Sequence, residues 1–379
     1  MSIPLDIFGR PMDRDERIRV GFIGCGGHAF RNVYPVLRFT PTRLVATCDF
    51  DAQRAEAFAK TFGAERHYTS HLEMLEREDL DAVLIVTNYD SYGEPSHVRL
   101  AMDCMEAGCH AYTEKPPSSS SEEIRRAMEV SERTGKFTLV GFKKCFFTAN
   151  EKAHEISRYE EFGGITSISV RYPQGIPAQE QKGSLKENPA LISFLDHLCH
   201  PASILNYFCG PVRTLFYRRN SCGGGFAMLE FASGAIGSLH FTAGQSGTSL
   251  LERLEVVGLG ANVVVENGIK LTYYRPGGRG PGGYGGSPSF IGDDAGAPLY
   301  WEPEFSLGQL YNKGLFMLGY YGEVAHFVDC VKQDRPPEKC GLRDALEITK
   351  LYEAFLQPEG RVIELSWLER PDHHNHRGF

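Results

Sequence analysis

Three short stretches carry residue types that could do chemistry together. The first, Gly24-Cys25-Gly26-Gly27-His28-Ala29, reads G-x-G-x-x-A between an apolar run and a helical pattern. Glycine there permits a tight turn and lets a pyrophosphate approach the backbone. A helix opening at the same point offers N–H groups and the positive end of its dipole. Asp49 closes the next apolar run about 20 residues on, where a carboxylate can accept adenosine ribose hydroxyls. Phe50 follows it rather than an arginine. That favours NAD over NADP as cofactor. The second stretch is Glu114-Lys115-Pro116-Pro117, which places a lysine at the carboxyl end of a later apolar run, the side from which parallel sheets hold ligands. The third is Asp196-His197-Leu198-Cys199-His200. On a helix Asp196 and His200 share a face, so the carboxylate can orient and charge the imidazole for proton transfer near neutral pH. The same spacing also suits two metal ligands or a helix-start Asp with a satisfied His. No Cys/His cluster with zinc spacing surrounds it, so no metal is assigned. His197 is the rival imidazole, expected to face away from that edge. Pro201 cannot donate to His197, which predicts a helix start or a kink. Taken singly, each stretch has a bland reading: a tight turn with an exposed Asp, a surface lysine, a capped histidine.

The elements that must position these residues are legible. RIRVGFIG, RLVATCD, AVLIVTN, CHAYTEK and FTLVGF are continuous apolar runs. They alternate with helical patterns in HAFRNVYPVLRF (with Pro35 expected to kink it), AQRAEAFAKTF, SHLEMLERE, EPSHVRLAMDCMEAG and SSEEIRRAMEVSERTG. Apolar strands alternating with helices describe a parallel sheet covered on both faces, a doubly wound α/β domain. From about 165 the pattern changes. ITSISVRY, VRTLFYRR, FAMLEFA, AIGSLHFT, LERLEVVG, ANVVVEN and IKLTYYR are strands joined by SG, LG and NG turns, so a large, mostly antiparallel open sheet is expected. Helices are predicted near 148–160, 191–208, 320–332 and 342–356. Nine glycines and four prolines fall between Pro276 and Pro298, a stretch read as a lid or a surface loop, with Tyr284, Phe290, Tyr300 and Trp301 beside it.

The 379 residues predict two domains with a real core, and a formal charge of −8 argues against a nucleic-acid or anionic-membrane partner. Ten scattered cysteines without Cys-x-x-Cys favour a reducing compartment. No signal-like segment opens the chain and no apolar run spans a bilayer, so a soluble cytoplasmic protein is expected. His373, His374 and His376 read as a frayed tail.

In order along the chain, the Gly-x-Gly opening, Glu114-Lys115-Pro116, Gly141-Phe142-Lys143-Lys144-x-Phe146 and the Asp196/His200 pair resemble the Gfo/Idh/MocA oxidoreductase family. So do the closing segments YGEVAHFVDCVKQDRPP and LRDALEITKLYEAF. The resemblance implies an N-terminal arm (1–16), a Rossmann dinucleotide-binding domain (17–145) and an α+β substrate-binding and oligomerisation domain (146–379). It implies NAD(P)-dependent hydride transfer at a secondary hydroxyl or ketone of a sugar, glycoside or cyclitol, in a homodimer or homotetramer. Lys115 would contact the substrate hydroxyl and the nicotinamide ribose, with His200 as acid–base residue and Asp196 as its partner. The expected cofactor set is Gly24, Gly26, Gly27, His28, Ala29, Asp49, Thr87, Asn88, Glu114 and Lys115. The chain departs from the family pattern at three places. Lys143 and Lys144 stand where many members have Asn-Arg or Arg-Arg, Ala202 and Ser203 stand where an Asp is common, and the loop Asn88–Gly93 is longer and more aromatic than the usual turn. A redox glycosidase using tightly bound NAD is the alternative enzyme. A non-catalytic dinucleotide sensor is the alternative from another class, although such proteins typically lose the lysine or the histidine.

Overall fold

The computed structural model describes residues 17–276, 297–302 and 313–365. The five apolar runs of the first half form the parallel strands β1 (Ile18–Ile23), β2 (Thr42–Cys48), β4 (Ala82–Ile85), β5 (His110–Glu114) and β6 (Thr138–Gly141), and a short sixth strand that no apolar run marked, β3 (Arg66–Tyr68), joins them at the edge. Their spatial order is β3-β2-β1-β4-β5-β6. The order reverses between β1 and β4, and the crevice at the carboxyl ends of such strands is where a doubly wound sheet binds its ligand. β4, β5 and β6 are buried at every residue, as strands covered on both faces require.

Helices α1 (Ala52–Phe62), α2 (His71–Arg77), α3 (His97–Glu106) and α4 (Ser121–Thr134) provide that cover. Local chemistry sets their ends. Asp51 accepts from the N–H groups of Gln53 and Arg54 at the start of α1, and Ser70 accepts from Glu73 N–H at the start of α2. The expected first helix differs. Residues Ala29–Val33 make a π-helical turn and Tyr34–Phe39 a 3₁₀ helix, because Pro35 cannot donate into an α ladder and fits the first turn of a new one.

The second half builds a nine-stranded sheet. Its strands are β7 (Ser167–Tyr172), β8 (Val212–Arg219), β9 (Gly225–Phe231), β10 (Ile236–Phe241), β11 (Arg253–Val257), β12 (Asn262–Glu266), β13 (Lys270–Tyr274), β14 (Leu299–Trp301) and β15 (Ile363–Glu364). The order is β14-β13-β12-β11-β7-β10-β9-β8-β15, and among the described residues only β7 and β10 pair in parallel. One face is packed by α5 (Thr148–Ile156), α6 (Pro189–Cys209) and, after the short α7 (Lys313–Met317) and α8 (Tyr320–Lys332), by α9 (Leu342–Leu356). The other face leaves Phe226, Met228 and Ile236 exposed. α8 packs against β1, β5 and β6, and α9 lies beside α4, so the last helices return to the first sheet. Most of the Gly-rich 276–298 stretch, with Tyr284 and Phe290, and His373, His374 and His376 lie outside the described residues; Tyr300 and Trp301 belong to β14. All ten cysteines are free thiols, and only Cys222 is exposed.

Candidate active site

The glycine turn lies at the switch point. Gly24 has φ +105°, and a Cβ there would sit 1.9 Å from the carbonyl oxygen of Val86, so only glycine fits. Gly26 and Gly27 face open space, with no atom within 4 Å of where a Cβ would be. Asp49 is 8% exposed, and its two oxygens accept from the N–H groups of Cys25 (2.8 Å) and Asp51 (3.0 Å). The carboxylate is thereby fixed beside the turn with lone pairs to spare. Thr87, against Gly24, has a buried hydroxyl oxygen without a partner, and Asn88 beside it is exposed. An open glycine cradle, a fixed carboxylate and an orphaned hydroxyl fit a dinucleotide.

His28 and Ala29 follow the turn. Ala29 is buried, whereas the His28 ring bridges Asn32 and Glu114, with Nε2 3.0 Å from Glu114 Oε1. Glu114 is buried, and its other oxygen accepts from Lys115 N–H at 3.1 Å. Burial pushes this carboxyl up, but His28 and Lys115 outweigh burial and hold it below the usual range.

Lys115 crosses from the end of β5 to α6. Its Nζ lies 2.9 Å from Asp196 Oδ1 and 3.4 Å from the Asp196 carbonyl oxygen. Tyr89 donates its hydroxyl to the same Oδ1 at 2.9 Å. Burial raises the Asp196 carboxyl, and the Lys115 charge together with the Lys115 and Tyr89 hydrogen bonds more than reverses that. The expected Asp196–His200 pair is therefore replaced: the carboxylate serves Lys115 and Tyr89, because a cation and a hydroxyl at 2.9 Å bind it better than an imidazole one turn away. His197 does not face away as expected. Its Nδ1 is 3.7 Å from Asp196 Oδ2 and donates to Ser193 C=O at 2.8 Å. Pro201 sits inside α6, which sets aside a helix start but not the kink that was its alternative.

His200 lies deeper, partly buried, its ring 6.2 Å from that of Tyr172 and beside a cavity of about 30 Å³ shared with Lys144 and Glu252. Lys144, itself buried, pairs with Glu252. Burial, then Lys144, Lys115 and Lys143, push the His200 imidazole well below its ordinary range. It is neutral near pH 7, the reverse of the charged form expected from an Asp partner.

Several site residues lay outside the sequence expectation. His97, at the start of α3, accepts from Thr87 N–H (3.3 Å) and donates to Pro116 C=O (2.8 Å), tying the end of β4 to the Lys115 segment. Lys143 donates to the Tyr320 hydroxyl at 2.8 Å. Glu323, fully buried, accepts from Tyr112 at 2.8 Å. Tyr89 sits in the loop already marked as unusually aromatic, the one available signal. Beside Asp196, a cleft of about 420 Å³ opens between that loop and the first turns of α6. Among the described residues, no group of three or more His, Cys, Asp or Glu could hold a metal, and no helix is long and apolar enough to cross a membrane.

Comparison with known proteins agrees with this architecture. Residues 18–142 match the family model described as oxidoreductase family, NAD-binding Rossmann fold, and residues 150–264 match the GFO/IDH/MocA C-terminal domain. An α-N-acetylgalactosaminidase of Shewanella oneidensis is 30% identical over 139 residues, 34% of this chain and 29% of that protein. A D-apiose dehydrogenase of Paraburkholderia graminis is 32% identical over 120 residues, 32% of this chain and 31% of that protein. The chain thus aligns with only about a third of the length of these relatives. A solved oxidoreductase from Agrobacterium radiobacter, in complex with NAD+, L-tartaric acid and magnesium, superposes with a TM-score of 0.73 at 16% identity, covering 92% of this chain and 98% of that one. With an NAD-binding Rossmann half and its characteristic C-terminal partner matched in order, the chain belongs to the Gfo/Idh/MocA oxidoreductase family.

Proposed function

We propose that this protein is an NAD-dependent oxidoreductase interconverting a secondary hydroxyl and a ketone on a sugar, glycoside or cyclitol. The observation that carries the reading is the 2.9 Å contact between Lys115, from the dinucleotide-binding sheet, and Asp196, from the helix of the second half. It fixes a cation beside the nucleotide crevice. Gly24, Gly26 and Gly27 would cradle the pyrophosphate, Asp49 the adenosine ribose, and Thr87, Asn88, Glu114 and Lys115 the nicotinamide half. Nicotinamide, when bound, supplies the hydride chemistry. Lys115 stabilises the alkoxide that develops on the substrate, because a preorganised charge in a partly buried site costs no reorganisation during reaction. Asp196, held by Lys115 and Tyr89 through Oδ1, keeps Oδ2 for a neighbouring substrate hydroxyl. His200, neutral, takes the hydroxyl proton as the alcohol is oxidised and returns it in the reverse direction. The D-apiose dehydrogenase relative supports a sugar substrate.

A spectrophotometric screen of polyols and glycosides with NAD tests the reading: net NADH should form with at least one, and His200→Ala should lower kcat by about 10²–10⁴ with NAD affinity retained. A folded His200→Ala variant with wild-type turnover would sink the assignment. The α-N-acetylgalactosaminidase match favours one second reading, redox-assisted glycoside cleavage. Glycoside cleavage without net NADH would select it. We assign the exposed sheet face, with Phe226, Met228 and Ile236, to a homodimer or homotetramer contact, since three large apolar side chains in one patch are disfavoured on a free surface.

A further inference from the structure

We infer that the cleft beside Asp196 continues outward into a second subsite that takes the aromatic aglycone of a glycoside; this assignment rests on the oxidoreductase reading above. The cleft measures about 420 Å³, within the range of pockets that hold ligands larger than one sugar ring, about 300–1,000 Å³. Its inner end is Asp196, the carboxylate fixed on Lys115, and its outer walls are the Tyr89 ring, Pro189 and Ile192. A substrate with its reacting carbon at Lys115 therefore extends from a polar end into a carbon-lined one.

Of the polar groups in the outer part, the Asn188 amide is already engaged on both sides. Asn188 Oδ1 accepts from Leu191 N–H at 3.2 Å, and its amide donates to the carbonyls of Gln181 (2.7 Å) and Ser184 (3.1 Å). His197 Nδ1 donates its proton to the Ser193 carbonyl at 2.8 Å, and the Glu187 carboxylate stands exposed at the rim. A second sugar ring would press part of its hydroxyls against the carbon of Tyr89, Pro189 and Ile192, at a cost for each one left unpaired. A flat apolar group would bury carbon against carbon and stack on Tyr89.

Both walls are tied to the fold by contacts of their own. Asp90 gathers the N–H groups of Tyr92 (2.9 Å) and Glu94 (3.0 Å) and pairs with Arg99 at 2.9 Å, closing the loop that carries Tyr89. At its tip Gly93 has φ +75°, and a Cβ there would meet the Leu185 carbonyl oxygen at 2.7 Å, so the loop is docked backbone to backbone on the segment leading into α6. At the rim Glu187, a non-glycine residue, is held at φ 55°, a strained conformation of the kind that concentrates at ligand sites. A preformed wall loses little entropy when the aglycone arrives.

The test is calorimetric binding of matched phenyl and methyl glycosides, over a panel of common sugars, to the NAD-loaded protein. At least one phenyl glycoside should bind about tenfold or more tighter than its methyl partner. That ratio should collapse toward one in Ile192→Trp, which fills the outer pocket, and fall in Ile192→Ala, which removes a wall. Equal affinity within every pair, no binding by any phenyl glycoside, or a preference that survives Ile192→Trp would overturn the subsite. NADH formation measured in parallel separates the two claims. A phenyl preference without oxidation or cleavage leaves the subsite standing and refutes the reaction, whereas oxidation of methyl and phenyl partners with equal affinity does the opposite.

Discussion

Replacing Asp196 with asparagine separates the two ways in which this carboxylate could act. At 2.9 Å and an effective dielectric of about 20, its attraction for the Lys115 ammonium is roughly 6 kcal/mol before desolvation. The two side chains are 14% and 28% exposed, so water screens part of this, and the asparagine carbonyl still accepts from Lys115. About 2–4 kcal/mol should be lost at the point where Lys115 is fixed, a fall of about 30- to 1,000-fold in kcat/KM. Tyr89→Phe removes only one hydrogen bond to that charge and should cost about tenfold. The decisive assay is the pH–rate profile for alcohol oxidation. Its acidic limb reports the base, and His200 is set by burial and then chiefly by Lys144, Lys115 and Lys143, with Asp196 not among the strongest influences on it. The limb of Asp196→Asn should therefore stay in place while its plateau drops. A limb displaced downward beyond replicate error would mean that Asp196 does back His200 and would refute this account.

Lys144→Met should move the same limb to higher pH: removing the most strongly depressing cation lets His200 hold its proton more tightly, so the neutral base is lost earlier as pH falls. Calorimetry should find NAD bound more tightly than NADP, since a 2′-phosphate would meet the buried Asp49 carboxylate, and Asp49→Ser should narrow the gap; equal affinities in the wild type would contradict the assignment. Met228→Glu, on the open sheet face, should lower the mass found by light scattering at micromolar concentration without lowering the Tm of the remaining species by more than a few degrees; an unchanged mass removes that face as the contact.

Local pattern alone located most of the backbone. Helices α8 and α9 occupy the residues their periodicity predicts, and β2, β4 and β5 end one or two residues before Asp49, Thr87 and Lys115, which the apolar runs carry at their ends. Hydrophobic period and caps are short-range properties, and within 10–15 residues they have few competitors. The glycine turn was legible for the same reason, since G-x-G is a demand of the local backbone. The turns after it were not: Pro35 made a kink predictable, but the choice of π and 3₁₀ over α belongs to the packing of Ala29, Val33 and Tyr34 in the core. Asp196 shows the limit most clearly. Helical spacing offered it His200, four residues on, yet its partners come from 81 and 107 residues away. Spacing along one helix says which side chains can meet, whereas the winner is set by which charges the rest of the chain brings to the same place. Lys115 and Tyr89 took the carboxylate, and burial together with three lysines left His200 neutral, because tertiary folding brought these groups there.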